Sequence, residues 1–411
     1  VYTLDMRLDQ RYLRSRPVNS EEGTPVGIGV WYEMRVSDPV AFLFENTDPE
    51  GSLRANVTNT TVRCLSNMPL DDMMQDRHIS LAHGNGGRYM RELIAEIFAR
   101  HLSDPQQADS LDVTLDAAPI ELEEGEVYMT TDGFIVQPLE FPGGDIGSLA
   151  VNGTVNDLAV SGARPKYLSL NAFIEEGLEI ATLERIVASL AEAARSAGVK
   201  VVAGDTKVLP RGEGGGLYLA TTGVGVRPSS VELGMHNIRP GDCILASGPI
   251  GDHGICVMLA RQDFQISGNV LSDCGNVIEL AKTAMAFGGL RFMRDPTRAG
   301  LAGVSYEIAQ QAGVTVRLVE TEVPVRDSVK MVCEMLGYDP YYLACEGRCI
   351  AIVAPDEAES LLSAWQKLPS GEGAAIIGTI EEGASRIVLE TELAGERILD
   401  DLEEDPLPRI C

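Results

Sequence analysis

Thr182-Leu-Glu-Arg-Ile-Val-Ala-Ser-Leu-Ala-Glu-Ala-Ala-Arg-Ser-Ala-Gly198 runs straight into Val199-Lys-Val-Val-Ala-Gly-Asp-Thr-Lys207. Thr182 is a plausible N-cap, the helix extends through Ala194, and Gly198 stops it, because only glycine readily takes the left-handed geometry that ends a helix. Val199 to Val202 then reads as a short buried strand. The alternation of helix and strand spreads outward from this unit. Upstream, Met90, Leu93, Ile94, Ile97 and Phe98 mark one helical face, and Val127-Tyr-Met-Thr-Thr131 is strand-like. Downstream, the stretch from Pro228 to Pro240-Gly-Asp242 reads as a boundary, after which the strand Cys243-Ile-Leu-Ala246 opens a second block with a helix over 300–312, a strand over 314–319 and a final strand pair. The expectation is an α/β (α+β) chain with domains over 78–238 and 239–397, a mobile tail over 398–411, and an N-terminal extension over 1–77 that carries no constellation of chemical groups. Met73-Met74 is a candidate alternative translation start.

At 411 residues and 45% hydrophobic content the chain is long enough to build sizeable cores. Its net charge of −28 argues against binding nucleic acid or an anionic membrane through a basic face. No apolar run approaches the ~20 residues of a membrane span, and the first thirty residues hold no signal-peptide core. A cytoplasmic protein is expected, with no nucleic-acid and no membrane partner.

The chain ends in Pro406-Leu-Pro-Arg-Ile-Cys411. Terminal residues are normally exposed, whereas free cysteines are normally buried, so a terminal thiol calls for a chemical reason. The two prolines favour an extended arm that can carry the thiol elsewhere. The other seven cysteines (64, 243, 256, 274, 333, 345 and 349) include no C-x-x-C pair and read as reduced thiols. Cys345 and Cys349 lack the further ligands that a zinc site needs.

Asp116, Asp132, Asn156, Asp157 and Asp205 stand at what read as strand ends and loop junctions. Carboxylates brought to one rim need cations, and Mg²⁺ with nucleotide phosphates suits hard oxygen ligands. Asp116, Asp132, Asp157 and Asp205 are therefore the candidate metal ligands. Glycine-rich pieces accompany them: His83-Gly-Asn-Gly-Gly87, Phe141-Pro-Gly-Gly-Asp-Ile-Gly147 and Gly212-Glu-Gly-Gly-Gly216, of which Gly143 and Gly144 precede a helix whose N-terminus suits phosphate. Neither a Walker A pattern nor G-x-G-x-x-G occurs. In the second block, Gly251-Asp-His-Gly254 places His253 at a helix start, Met293-Arg-Asp-Pro-Thr-Arg298 offers an anion cradle, and Glu346 sits on a strand or its edge.

Taken in order, these pieces, with Gly153-Thr-Val-Asn-Asp-Leu-Ala-Val-Ser-Gly162, Gly204-Asp-Thr-Lys207, Ser272-Asp-Cys274, Glu346-Gly347 and the terminal Pro-Arg-Ile-Cys411, resemble the HypE family of hydrogenase maturation factors. The resemblance runs from about residue 78 to the last residue. Asn85 and Ala299 depart from it where smaller residues are expected, and Gly275-Asn276 replaces a more apolar pair.

The resemblance implies a PurM-like (aminoimidazole ribonucleotide synthetase-like) fold, a homodimer pairing N-terminal sheets, and ATP with Mg²⁺ at the domain junction. It also implies a reaction. A carbamoyl group placed on the terminal thiol by the HypF carbamoyltransferase is dehydrated with ATP to a thiocyanate, and the cyanide passes through a HypC–HypD complex to the iron of [NiFe]-hydrogenase. On this pattern Cys411 carries the substrate, Lys207 and Glu346 lie near the thiol, and His253 lies near the amide. Asp132, Asn156, Asp157, Asp205, Gly143, Gly144 and Arg298 would then hold the nucleotide. Two alternatives stay open: an ATP-dependent enzyme of the same superfamily acting on a diffusible substrate, and a non-catalytic cysteine carrier.

Overall fold

The structure is a computed structural model that describes residues 9–14, 18–19, 25–26, 28–34, 36, 48–65, 78–84, 87–103, 113, 117–261 and 270–402. The chain divides into two units, Val1–Arg77 and His78–Cys411. In the first, Asp9–Arg14 pairs antiparallel with Gly29–Met34, and a helix spans Pro49–Leu65. Among the described residues no helix is long and apolar enough to cross a membrane.

Among its described residues the second unit contains a two-stranded ribbon, Glu140–Phe141 with Gly144–Asp145, and two larger sheets. The smaller has four strands in the order Glu126–Phe134, Leu217–Arg227, Arg164–Glu175, Lys200–Leu209. Only the last pairing is parallel, and the helix Ile180–Ala197 makes the crossover it requires. That helix buries Leu183, Ile186, Val187, Leu190, Ala191 and Ala194, a single stripe at helical spacing, and ends on Gly198 at φ +67°. Its start differs from the sequence reading. The N-cap is Glu179, and Thr182 lies inside the first turn, where its hydroxyl accepts from Arg185 Nη2. The glycine-rich run 212–216 is not a hairpin turn. It passes from one edge strand to an inner one, and the Glu175 carboxylate accepts from the backbone N–H groups of Gly212 and Gly216 as it crosses.

The helix Ile146–Val160 packs on the same face of this sheet and is buried almost all round. Its other side meets the larger sheet's helix Ile278–Ala284. Among the described residues no helix packs on the opposite face of the small sheet, where Val127, Met129 and Phe173 are exposed.

The larger sheet has seven strands in the order Leu290–Arg294, Ile350–Val353, Cys243–Ala246, Ala375–Glu381, Thr315–Val319, Arg386–Glu390, Glu396–Leu399. Ile350–Val353 is buried at all four positions, as an inner strand with helices on both faces must be. Gly300–Ala312 contributes to one apolar layer; Ile278–Ala284 and Pro355–Trp365 contribute to the other.

Candidate active site

Strand Glu126–Phe134 extends through Asp132 instead of ending before it, and alternation decides which way each side chain points. Thr130 and Asp132 face the helix Ile146–Val160. From that helix's last turn Asp157 reaches back, its Oδ2 accepting from Thr130 Oγ1 at 2.8 Å. A carboxylate in a last helical turn opposes the helix dipole, so stability alone does not place it there. From the larger sheet come Asp295 and Arg298, on the loop between Leu290–Arg294 and Gly300–Ala312, and Glu346, on the loop before Ile350–Val353. Asp132, Asp157, Asp295 and Glu346 line one cavity of about 300 Å³ together with Arg298, Thr131 and Thr297. Asp157 and Asp295 also line an adjoining cavity of about 390 Å³ floored by Leu158, Leu233, Phe292 and Met293.

The electrostatics of this cluster are one-sided. Burial, then the neighbouring Asp157, pushes the Asp132 carboxyl up to about 6; the same two causes push Asp295 up to about 7. Glu346 is 2% exposed, its carboxyl is driven well above the carboxylate range by burial and then by Asp295, and its Oε1 has no hydrogen-bond partner. An unpaired buried carboxylate is costly to keep. Arg298 supplies the positive charge lining the cavity. Among the described residues no three His, Cys, Asp or Glu side chains converge into a ready-made metal cage.

Several expected site residues lie elsewhere, each for a definite reason. Asp205 and Lys207 sit within strand Lys200–Leu209, at the opposite edge of the sheet from Asp132. In register, Asp132 aligns through Thr221 and Leu170 with Gly204, so Asp205 belongs to the next row and points to the uncovered face. Its carboxylate is held down chiefly by Lys207, 2.7 Å away. In a single chain, therefore, Asp205 does not share a rim with Asp132 and Asp157. Asn156 is 1% exposed and its amide is spent on backbone: Nδ2 donates to Gly275 O (3.0 Å) and Glu346 O (3.4 Å), and Oδ1 accepts from Val277 N (2.8 Å).

Gly143, at φ +95°, makes room for another loop: a Cβ there would lie 2.9 Å from Ser272 N and O. The helix N-terminus behind it is already capped, with Asp145 Oδ1 accepting from Gly147 N and Ser148 N. A Cβ on Gly144 would meet the Phe141 ring. His253 opens its helix as expected, but its ring is fully buried against Phe141, 2.8 Å from Ser272 Oγ. Asp116, Asn85 and Cys411 lie outside the described residues. Sequence reasoning missed Asp295 as a site residue, although it stands within the quoted Arg294–Arg298 motif. The signal was an acidic residue placed directly after a buried strand and before a helix.

The six described free cysteines all have thiols pushed above their ordinary range, first by burial, Cys256 to about 11 and Cys274 to about 12. None of them is a thiolate nucleophile at neutral pH.

Fold and site together define a two-domain protein of the AIR synthase related class. The family of AIR synthase related protein N-terminal domains matches residues 115–227, and the corresponding C-terminal domain family matches 239–390. Narrower similarity is extensive. The carbamoyl dehydratase HypE of Azotobacter vinelandii is 47% identical over 340 residues, covering 82% of this chain and 98% of that protein. A crystal structure of the hydrogenase maturation protein HypE in complex with ATP superposes with a TM-score of 0.76 at 44% identity, covering 80% of this chain and 99% of that one. A HypE–HypF complex gives 0.65 at 39% identity, covering 76% and 99%. The chain belongs to the HypE family of carbamoyl dehydratases that act in hydrogenase maturation.

Proposed function

We propose that the chain dehydrates an S-carboxamide on its own Cys411 to an S-thiocyanate at the expense of ATP, supplying the cyanide ligand of the [NiFe]-hydrogenase iron. The observation that carries this reading is the cavity in which Arg298 faces four carboxylates, one of them, Glu346, buried with an unpartnered oxygen. The chemistry asks for such a set. An amide oxygen is a poor leaving group; transferring the γ-phosphoryl of ATP to it, with loss of one N–H proton, leaves ADP and an O-phosphorylated imidate. Removing the remaining N–H proton then expels phosphate and leaves C≡N. In this reading Arg298 would steady the phosphoryl charge, and Glu346, whose burial raises its affinity for a proton, would take one once its carboxyl is ionised.

An all-carboxylate donor set with a surplus of negative charge fits a hard divalent cation, with Asp132, Asp157 and Asp295 as candidate holders. Mg²⁺ is normally bound through one or two carboxylates with phosphates and water, so no protein-only cage is needed. When bound, it would neutralise the triphosphate.

The six described cysteines are poor nucleophiles, and of the remaining two, Cys64 and Cys411, the terminal one is the proposed carrier of the sulfur chemistry. HypF is the proposed carbamoyl donor and a HypC–HypD complex the acceptor of cyanide, in the cytoplasm. The uncovered face of the small sheet supports a homodimer, and Asp205 and Lys207, which lie on it, would then act across the pairing surface. His253, buried beside Ser272, would act by supporting the neighbouring loop. The test is the intact mass of the C-terminal peptide after incubation with a carbamoyl donor and MgATP. The peptide is expected to gain the carbamoyl group and then lose one water. Cys411→Ala should gain neither mass, and a carbamoyl adduct on the alanine variant would overturn the assignment.

A further inference from the structure

The turn Pro340–Tyr342 touches two parts of the molecule and leads into a third. It abuts the start of helix Gly300–Ala312, just after Arg298: a Cβ on Gly300, at φ +57°, would lie 2.5 Å from Leu343 O and 2.7 Å from Tyr341 O. Four residues beyond Tyr342 the chain reaches Glu346. The same turn also grips the end of the last strand, Glu396–Leu399. Arg397 Nη1 pairs with Asp339 Oδ2 at 2.7 Å and its guanidinium lies 5.9 Å from the centre of the Tyr341 ring. Tyr342 OH donates to Asp400 O at 2.7 Å.

We propose that Tyr342 is a positioning residue, rooting the C-terminal arm on the turn that leads into Glu346, so that the arm's thiol pivots from a point fixed relative to the active site. The proposal rests on the reading that Cys411 carries the reacting group. Tyr342 and Glu346 are four residues apart, so their Cα atoms are separated by at most ~14 Å. The arm beyond Asp400 has the eleven residues 401–411, which span up to roughly 36 Å extended and on the order of 18 Å as a flexible coil. A root this close makes delivery intramolecular, at an effective concentration on the order of millimolar. An exposed strand end frays readily. Without the Tyr342 hydroxyl the pivot moves back along the strand and the thiol spreads over a larger volume. A neutral hydrogen bond confers about a two- to tenfold preference for the bonded state, which sets the size of the effect.

Two measurements on the full chain test this in Tyr342→Phe and in the Tyr342→Phe/Arg397→Gln double variant. The first follows single-turnover loss of water from carbamoylated Cys411 with MgATP. It should slow about two- to tenfold, with ATP affinity unchanged. The second reads the mobility of a nitroxide on Cys411 in a Cys64→Ser background, which should rise in both variants without any turnover. Unaltered conversion together with unaltered nitroxide mobility would overturn the root while leaving the functional reading intact. If the parent protein itself never converts the carbamoylated thiol, the functional reading falls, and the nitroxide result alone decides whether Tyr342 roots the arm. A fall in ATP affinity in step with the rate would overturn the positioning role in favour of general structural damage.

Discussion

Asp295 holds its proton more tightly than an ordinary aspartate, at about 7, because it is buried beside Asp157. A carboxyl whose affinity for protons is raised on folding favours the native state below the unfolded value near 3.8 and loses that contribution as pH rises through the folded value. Stability from this group therefore falls between about pH 4 and pH 7 in the absence of nucleotide. Asp295→Asn removes the titration, and the stability gap between variant and parent should widen by about 2–3 kcal/mol from pH 5 to pH 8. Urea denaturation at both pH values measures it; a constant gap would mean that the carboxylate is compensated in the native protein. Ala299 makes a second residue-scale case. It adopts φ +56°, a left-handed conformation that costs a residue with a Cβ about 1–2 kcal/mol. Ala299→Gly should raise the midpoint of denaturation by about 1 kcal/mol in stability, and no gain would show that the Cβ makes compensating contacts.

At the scale of elements, the helix Ile146–Val160 and the loops 272–277 and 344–348 behave as one piece, tied by the three hydrogen bonds of Asn156. Asn156→Ala leaves two carbonyls and one N–H without these partners and should cost about 2–4 kcal/mol. Calorimetry would also report weaker ATP binding, since Glu346 is carried on a released loop; a stability loss below about 1 kcal/mol would show that water replaces the amide. This tie was not legible in the sequence. Asn156 was recognisable as special, but its neighbours belong to loops more than a hundred residues away, and no local pattern says which way a wholly buried helix turns its amide. Strands were legible in position and poor in extent: Lys200–Leu209 begins where the Val199–Val202 pattern suggests, yet continues through Asp205. Its polar residues looked like a loop because an edge strand with one uncovered face need not be apolar. The helix over 300–312 and the strand Cys243–Ala246 were readable to the residue, since each is bounded by glycine or by a clear change from polar to apolar.

At the scale of the molecule, the uncovered face of the four-stranded sheet, with Val127, Met129 and Phe173 exposed, is the surface on which we propose that two copies pair. Met129, 72% exposed, is a suitable probe. Met129→Lys should convert a dimer to a monomer in analytical ultracentrifugation while leaving the melting of the larger sheet's domain unchanged. A dimer that survives this charge would place the interface elsewhere. The overall class was readable early because alternating helices and strands with acidic residues at strand ends restrict the options; which carboxylates meet was not, because that depends on strand order and face, and these arise from pairings distant in the chain.

The helix Ile146–Val160, buried almost all round between the two sheets' territories, also sets how the molecule can come apart. Most of its backbone amides lie away from solvent, so few local fluctuations expose them. Deuterium should therefore enter this segment only when the whole of the second unit unfolds, whereas the edge strand Lys200–Leu209 exchanges through small local openings. Asp157, on the rim of the proposed reaction chamber, thus belongs to the slowest-exchanging part of the protein.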